Sequence, residues 1–515
     1  MKIEVHKSVK IEIICIIFIS IVLSLNLMRW LEIRNYHQTI LRVRSRREES
    51  LKNMEKVMDG IKTMDTFQTK IDHEHLLTLR DLQKSIKISD VSASYILHAY
   101  MEKALEATKK FNCITDFLPE CQTRLSELQD EPKGPLYGIP ISIKENINCK
   151  GHDSTCGLRK FINKPIDEDC VIVQVLKIQG AIPFVKTNVP QTLFSYECSN
   201  PIYGQTINPL NPKRTPGGSS GGEAALIAAG GSILGIGTDV GGSIRLPAAF
   251  CGICGFKPTA NRLSKKGLSV NSTGQRTVES SVGPLARDVD SLAYCMKALL
   301  CEDMFELDPT VPPLPFNDMI YSDTKPMKIG YFESDGYWIP SPSIKRAVLE
   351  TAQLLKDAGH TSPRVVAGIK ATGGIGSVKE LWKHHIAAMA YRDEYVNAWK
   401  RQNIEVLLCP SLGPAFNIGY AGELSVASSY MVIFNLLNFP AGVVPVTHVT
   451  EEDEKELMNY TGFLNDIWDK TFKKAVAGGV DLPLAVQCVA LPWQDELCLC
   501  FMKEVERLVN LKKIT

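Results

Sequence analysis

Residues 217–259 read GGSSGGEAALIAAGGSILGIGTDVGGSIRLPAAFCGICGFKPT. Two glycine-rich turns, each carrying serine, flank an apolar run at 224–229 that predicts a helix. Glycine is needed where the backbone adopts positive φ or approaches a bound substrate closely. A flexible linker would lack both the apolar helix and the tight turn at 241–243. The segment therefore predicts two packed loops that present serine hydroxyls and consecutive backbone N–H groups.

This paired pattern, with a lysine on a predicted strand well upstream, resembles the amidase signature family of Ser-Ser-Lys hydrolases. Three further blocks are similar to the membrane-anchored animal members that hydrolyse fatty acid amides. They are 187–211 (TNVPQTLFSYECSNPIYGQTINPLN), 298–315 (ALLCEDMFELDPTVPPLP) and 482–508 (LPLAVQCVALPWQDELCLCFMKEVERL). The resemblance runs from about residue 86 to the end and is interrupted after His360. It implies the α/β amidase signature fold: a large twisted mixed β-sheet core covered by helices on both faces, preceded by an N-terminal transmembrane helix.

Composition limits the classes of function. The chain has 515 residues, 44% of them hydrophobic, and 58 basic residues against 57 acidic ones. Such a balance gives no global field that would recruit nucleic acid. The 15 cysteines are scattered in apolar contexts, which is typical of reduced core residues rather than of a disulfide framework. Cys251 and Cys254 form a CxxC without a second ligand pair, so core positions are favoured over a metal or redox site.

An apolar run near the N-terminus predicts a membrane anchor. Residues 13–28 read IICIIFISIVLSLNLM, and including neighbouring apolar residues gives a span of about 11–31, close to the roughly 20 residues that a bilayer requires. A cleaved signal peptide is the alternative. We favour an uncleaved anchor because Ser24-Leu25-Asn26 is a poor cleavage site.

Charges around the span predict its orientation. Basic residues are more numerous after the span than before it: Lys2, Lys7 and Lys10 precede it, whereas Arg29, Arg34, Arg42, Arg44, Arg46 and Arg47 follow it. The positive-inside rule then keeps the C-terminal body in the cytosol. With the family resemblance, this predicts a single-pass protein of an endomembrane, the endoplasmic reticulum in particular.

The remaining pattern predicts one large catalytic domain. We expect the anchor at 1–35, a helical lead-in at 36–88 and the catalytic domain at 89–515, with an atypical glycine-rich junction at 361–379. Period-two alternation predicts a strand within 134–148, and further strands are expected at 181–185, 327–331, 404–409 and 442–446. Helices are expected at 171–180, 343–358, 428–437 and 495–508. Alternation of this kind indicates an α/β layered body.

Three residues are the candidates for catalysis. Amide hydrolysis needs an activated nucleophile and a proton for the leaving amine, and Ser243 is the predicted nucleophile. Lys144 is the predicted base, although a lysine with an ordinary pKa near roughly 10.4 must be buried away from carboxylates to be neutral. Ser219 would relay the proton between them, and in the resembling family this serine follows a non-proline cis peptide bond.

The residues around this triad are assigned supporting roles. The backbone N–H groups expected to form the oxyanion hole are those of Val240, Gly241, Gly242 and Ser243. Ser220, Asp239 and Arg245 match supporting positions of the family signature, although each is also an ordinary type of turn or cap residue. Glu145 is expected to point away from Lys144, since neighbouring residues of a strand face opposite sides.

Two other functions remain open from the sequence. Residues 217–221 also fit GxSxG, the nucleophile elbow of α/β-hydrolase esterases, with Ser219 attacking and His448 as base. That elbow requires a strand ending just before Gly217, where Pro212 and Pro216 oppose one. The third possibility is a catalytically impaired membrane-anchored protein that binds lipid amides, because residues 361–379 replace helices of the longer animal relatives.

The resemblance also suggests the ligand. Leu193 and Phe194 match apolar residues that line the acyl channel of the resembling enzymes, although either could be an ordinary core residue. The implied partners are fatty acid amide lipids, the membrane and, as a homodimer, a second copy of the chain. Neither a metal nor a cofactor is expected for this chemistry.

Overall fold

The computed structural model describes residues 2–64, 78–87, 91–128, 134–270, 274–365 and 378–514. Contacts divide the chain into two units, Met1–Glu49 and Ser50–Thr515. The predicted domain boundaries after residues 35 and 88 stay predictions. Most of the predicted junction, residues 366–377, lies outside the described residues.

Helix α1 (Lys2–Met64) supplies the described residues of the first unit. Its part from Cys15 to Ile61 includes a stretch long and apolar enough to cross a membrane, and none of that stretch is buried within the protein. Ile16, Phe18 and Leu23 are each more than 60% exposed. Exposed side chains of this kind need an apolar surrounding, so the predicted span is a candidate transmembrane helix.

The second unit is built around β-strands. Their bounds are β1 (Ile114–Phe117), β2 (Pro140–Lys144), β3 (Ile182–Thr187), β4 (Ser199–Asn200), β5 (Gly204–Gln205), β6 (Leu234–Asp239), β7 (Cys254–Lys257), β8 (Ser281–Ala286), β9 (Ile329–Tyr331), β10 (Val406–Pro410), β11 (Ala441–His448) and β12 (Pro483–Ala490). β4 and β5 form a separate antiparallel pair, and the others form one ten-stranded sheet.

Helices surround this sheet. Their bounds after α1 are α2 (Leu79–Lys87), α3 (Ala93–Phe111), α4 (Glu120–Glu127), α5 (Val171–Ile178), α6 (Gly221–Ala228), α7 (Arg245–Phe250), α8 (Val289–Leu299), α9 (Glu302–Leu307), α10 (Asp318–Tyr321), α11 (Pro342–Asp357), α12 (Val378–Arg401), α13 (Ser429–Leu436), α14 (Glu451–Met458), α15 (Ile467–Val476) and α16 (Asp495–Ile514). Short 3₁₀ turns cover Arg159–Phe161, Gln191–Leu193 and Ser425–Ser428.

The sheet is mixed, with strand order β1-β3-β2-β6-β8-β7-β11-β12-β10-β9. β2 is parallel to both β3 and β6, and β9 is parallel to β10, whereas the other pairs are antiparallel. Every residue of β2, β3, β6, β8 and β12 is buried. Because successive side chains point to opposite faces, both faces of the central sheet are covered, which confirms the predicted α/β layered fold.

The parallel pairing of β2 and β6 determines where the chemistry can occur. The carboxyl ends of parallel neighbours meet at one edge of a sheet, the usual position of ligand sites in such folds. Lys144 ends β2, and Asp239 ends β6. The turn that follows β6 and carries Ser243 therefore lies at the same edge of the sheet as Lys144.

The observed elements differ in detail from the predicted ones. The strand expected within 134–148 is only the five-residue β2. The strand expected at 442–446 extends to Ala441–His448, and its register shifts between Pro445 and Thr447. Proline cannot donate to a ladder, so this irregularity is its physical consequence.

Arg214 joins two distant parts of the second unit. It is 2% exposed, and its Nη1 donates to the carbonyl oxygens of Ala415 (3.0 Å) and Ala475 (3.1 Å), while Nη2 donates to Ala477 O (2.7 Å). Two of these carbonyls lie at the C-terminal end of α15, where a cation is favoured by the helix dipole. Arg214 therefore fixes α15 to the loop that leads into the 217–221 turn.

We expect Arg214→Ala to lower the thermal unfolding midpoint of the detergent-solubilised chain. The substitution leaves buried carbonyl oxygens unpaired, at a cost of about 1–3 kcal/mol for each unsatisfied group. Lys213→Ala is the matched control, because this neighbouring side chain is exposed and its loss should have little effect. Equal midpoints for the two variants would contradict the structural role of Arg214.

Candidate active site

Lys144 lies at the centre of the candidate site. It is fully buried, and its Cα pairs with Thr187 of β3. Its Nζ lies 2.7 Å from Ser219 Oγ, 2.8 Å from Thr238 Oγ1 and 3.1 Å from Thr238 O. The Thr238 hydroxyl donates to Asn146 Oδ1 (3.4 Å), which leaves its oxygen free to accept. When charged, the amine can donate to all three oxygens; when uncharged, it can donate twice to Thr238 and accept the Ser219 proton.

The electrostatic environment favours the uncharged amine. Burial lowers the pKa of Lys144 to about 7, against the opposing effect of the Asp239 charge. The adjacent carboxylate of Glu145 is engaged elsewhere, since it accepts hydrogen bonds from the backbone N–H groups of Thr155 and Cys156. The expectation that Glu145 points away from Lys144 is therefore confirmed.

Ser219 lies in the first of the two serine-bearing turns. Ser220 separates it from α6, and the peptide bond between Gly218 and Ser219 is cis, as the resemblance implied. The Ser219 side chain is buried and meets the Lys144 amine. Of the two proposed serines, Ser219 is the one whose contact with Lys144 is direct.

The turn that carries Ser243 is tied to the first turn through the backbone. Ser220 N donates to Ser243 O at 3.0 Å, and the Ser220 hydroxyl lies 3.5 Å from Thr238 O. The structure thus brings Ser243, Ser220 and the end of β6 together. Ser243 is buried, with 6% of its surface exposed.

The Asp239 carboxylate organises the turn. Its oxygens accept from Gly242 N (2.8 Å) and Ile244 N (3.0 Å), and they pair with the Arg245 guanidinium at 3.0 Å. Burial acts to raise the pKa of Asp239, but the Arg245 charge and these hydrogen bonds hold it well below its usual range. Gly242 N–H is therefore engaged within the turn, which differs from the expectation that it faces an oxyanion.

Arg245 extends this support across the fold. Its Nη1 donates to Gln487 Oε1 in β12 (2.7 Å), and Nη2 donates to Asn435 Oδ1 in α13 (2.6 Å). Asn435 also donates to Asp239 Oδ1 at 3.1 Å. Arg245, Asn435 and Gln487 are all buried. Residues of α13 and of β12 therefore both support the turn that carries Ser243.

Sequence reasoning did not identify Tyr196, which contacts the same turn. Its hydroxyl donates to Gly241 O at 2.6 Å. A side chain at Gly242 is excluded, because its φ is +107° and a Cβ there would lie 2.7 Å from Met431 Cβ. The glycine requirement could be read from the motif, whereas no local pattern marks Tyr196, Asn435 or Gln487 as its support.

Leu193 and Phe194 lie in an unusual loop. Thr192 and Leu193 both have φ of +65°, and Phe194 is 67% exposed. The alternative that Phe194 is an ordinary core residue is therefore wrong. Contact with an acyl chain stays a prediction for both residues.

The nucleophile-elbow interpretation lacks its structural context. Thr215 and Pro216, the two residues before Gly217, belong to no strand. Thr215 N instead donates to Phe416 O at 2.9 Å. His448 is exposed at the end of β11, whereas the Ser219 hydroxyl meets Lys144. The predicted core positions of Cys251 and Cys254 are confirmed, since both are buried free thiols.

Comparisons with known proteins identify the family of this chain. A family model described as Amidase matches residues 95–367 and 362–499. Fatty-acid amide hydrolase 1 of Sus scrofa is 44% identical over 549 aligned positions, which cover 94% of this chain and 94% of that protein. The vitamin D3 hydroxylase-associated protein of Gallus gallus is 53% identical over 68% of this chain and 75% of its own length.

A solved structure named fatty acid amide hydrolase superposes with a TM-score of 0.79 at 24% identity, covering 92% of this chain and 95% of its own. That likeness supports the fold. The Sus scrofa alignment spans 549 positions, more than the 515 residues of this chain, so that relative carries residues that this chain lacks. The two family matches meet at 362–367, in agreement with the interruption expected after His360. On sequence and fold together, the chain belongs to the amidase signature family, whose members hydrolyse amides.

Proposed function

We propose that this amidase is a membrane-bound serine hydrolase of fatty acid amides, both N-acylethanolamines and primary fatty amides. It releases the free fatty acid and an amine or ammonia through an acyl-Ser243 intermediate. The main observation in support is the fully buried Lys144 amine, 2.7 Å from Ser219 Oγ, beside a second serine turn joined to the first by a backbone hydrogen bond. An uncharged amine in that position is a competent general base.

The proposed reaction has two stages. Ser243 Oγ attacks the amide carbon while its proton passes through Ser219 to neutral Lys144. The tetrahedral intermediate collapses when the C–N bond breaks, and the same relay returns the proton to the leaving nitrogen. Water then attacks the acyl-Ser243 ester, its proton follows the relay, and the fatty acid leaves with Ser243 restored.

For the oxyanion we propose donation from the backbone N–H groups of Val240, Gly241 and Ser243. Gly242 N–H is committed to Asp239, so it holds the shape of the turn rather than the oxyanion. Losing one oxyanion donor typically costs about 2.7–4 kcal/mol. Tyr196 binds the Gly241 carbonyl. This carbonyl and Gly242 N–H belong to one peptide unit, so Tyr196 and Asp239 together fix its orientation.

The substrate class is proposed from three observations. The relatives of Sus scrofa and Caenorhabditis elegans, the latter 34% identical over 91% of this chain, are named fatty acid amide hydrolases. An exposed Phe194 is available to contact an apolar chain. A candidate transmembrane helix would hold the enzyme at the membrane. Fatty acyl substrates partition into the same membrane, with a gain of about 0.8 kcal/mol per buried methylene.

We also propose the cellular arrangement: a single-pass endoplasmic reticulum protein, with its catalytic domain in the cytosol and assembled as a homodimer. The basic residues after the apolar span support this orientation. Buried free thiols throughout the second unit are compatible with a reducing compartment.

A lipid-amide binder without turnover is the second candidate, because this chain lacks residues that the Sus scrofa relative carries. The proposed catalytic residues all lie in described parts of the chain. Chemistry is therefore expected to persist, and the two candidates differ in whether Ser243 reacts.

Ser243→Ala should abolish fluorophosphonate labelling of membrane fractions and lower amide hydrolysis by at least about 10³-fold. Ser219→Ala should retain a labelled Ser243 with turnover reduced by about 10²-fold, since a relay group is lost but the nucleophile remains. Ser126→Ala, at an exposed serine of α4, is the control. Labelling that requires Ser219 but not Ser243 would favour the elbow, and no labelling of the wild type would favour the binder.

The kcat/KM for amide hydrolysis should rise with pH to a plateau, with a midpoint near 7. Lys144 must be uncharged to accept a proton, and its pKa is about 7, so activity is lost as pH falls below that value. Lys144→Met should lower kcat by about 10²–10⁴-fold. Lys186→Met removes another buried strand lysine, whose amine binds Asp153 O and Ser154 Oγ. Equal losses in both variants would remove the base assignment.

The proposed topology can be tested with protease on intact microsomes. A C-terminal epitope tag should be digested, because the body faces the cytosol, whereas an N-terminal tag should be protected until detergent is added. The protein should also stay in the pellet after an alkaline carbonate wash. Protection of the C-terminal tag would overturn the proposed orientation.

A further inference from the structure

Glu223 is a buried carboxyl group that the mechanism above does not use. It lies in the first turn of α6, directly after the serines of the 217–221 turn, and it is fully buried. Its Oε2 lies 2.5 Å from Ser142 Oγ in β2, and its Oε1 lies 2.8 Å from Thr187 Oγ1 at the end of β3. Thr187 is the Cα partner of Lys144 in the sheet. Glu223 therefore joins the helix behind Ser219 to both strands that hold the base.

The protons around Ser142 can be counted. Ser142 Oγ also lies 2.9 Å from Ser232 Oγ, and Ser232 Oγ lies 2.9 Å from Leu234 O. Three oxygen–oxygen contacts at hydrogen-bond distance need three protons, yet Ser142 and Ser232 supply one each. Thr187 uses its own proton on Glu223 Oε1. The third proton is accounted for if Glu223 Oε2 carries it and donates to Ser142.

We propose that Glu223 is a neutral carboxylic acid that positions Ser219 against Lys144 while adding no negative charge beside the base. Glu223 Oε2 then donates to Ser142 Oγ, Ser142 Oγ donates to Ser232 Oγ, and Ser232 Oγ donates to Leu234 O. Each contact is satisfied once. Glu223 does not touch the reacting atoms, so its role is positioning.

The surrounding charges are consistent with a neutral acid. Burial raises the pKa of Glu223 to about 8, although the contacts with Ser142 and Thr187, and Lys144 whenever it is charged, act to lower it. Lys144 is the titratable group that faces Glu223 from the strands packed against α6. The other groups acting on Lys144 are Asp239, which is paired with Arg245, and the buried thiols of Cys156 and Cys198. Burial raises the pKa of each thiol to about 12.

The space around Glu223 is fitted to its carboxyl group. A Cβ on Gly235 of β6 would lie 2.1 Å from Glu223 Oε2. The side chain thus lies across β2, β3 and β6, at Gly235 near the start of β6, the strand that also carries Thr238. Since Thr238 and Ser219 both contact the Lys144 amine, a brace at this point controls the geometry of the proton relay.

Infrared spectroscopy of the detergent-solubilised full chain at pH 7 tests the protonation state without requiring turnover. The spectrum of wild type minus that of Glu223→Gln should contain the carbonyl stretch of a protonated carboxylic acid. Glu504→Gln is the control: partial burial raises the pKa of Glu504, but bonds from Arg507 and His360 hold it below its usual value. The control difference should contain no such band. Absence of the band for Glu223→Gln would overturn the neutral acid.

Kinetics test the positioning role, which rests on the proposed amidase function. Glu223→Gln can donate to Ser142 and accept from Thr187 as the neutral acid does, so it should keep most of kcat and the same acid limb of the pH profile. Glu223→Ala should lower kcat by about 10²-fold, with KM nearly unchanged, because displacement of catalytic groups is costly.

Two kinetic outcomes would contradict the proposal. A shift of the acid limb to lower pH in Glu223→Gln would mean that a negative charge had been removed, and a wild-type kcat in Glu223→Ala would mean that no positioning occurs. If the wild-type chain hydrolyses no fatty amide, the proposed function fails, while the infrared result still decides the protonation state.

Discussion

Burial of the Lys144 amine without a bonded carboxylate is the constraint on which the candidate site depends. Lowering its pKa from 10.5 to about 7 corresponds to about 5 kcal/mol of lost stabilisation of the charged form. That value is of the same order as the net stability of a whole domain. The fold tolerates this buried amine because Thr238 and Ser219 form hydrogen bonds with it and because a sheet buried on both faces holds the strand in place.

The second requirement is that nearby carboxylates are prevented from restoring the charge. Among the neighbouring charges, Asp239 has the largest effect in raising the pKa of Lys144. Its carboxylate is paired with Arg245 and accepts hydrogen bonds from the turn that carries Ser243. One carboxylate therefore performs two tasks, since it shapes the serine turn while its charge is balanced by the Arg245 guanidinium rather than by Lys144. Glu145 is committed to backbone N–H groups. Both carboxylates near Lys144 are therefore bonded to groups other than its amine.

The sequence was informative where the determinants are local. Glycine turns, the helix between them and the period-two strand ending at Lys144 could all be predicted, because turn chemistry and hydrophobic periodicity act over a few residues. Long-range partners could not. Nothing near Arg245 in the chain indicates Gln487 or Asn435, and nothing near Gly241 indicates Tyr196. The engagement of Gly242 N–H was also missed, since a glycine pattern does not specify where each peptide points.

The contact between Arg245 and Gln487 has a consequence for biosynthesis. Gln487 belongs to β12, the last described strand in sequence order. Both serine motifs are therefore synthesised long before this partner of Arg245 leaves the ribosome. Until then the guanidinium that balances Asp239 lacks part of its cradle. The turn that carries Ser243 therefore gains this support late, and a chain terminated before β12 lacks the contact between Arg245 and Gln487.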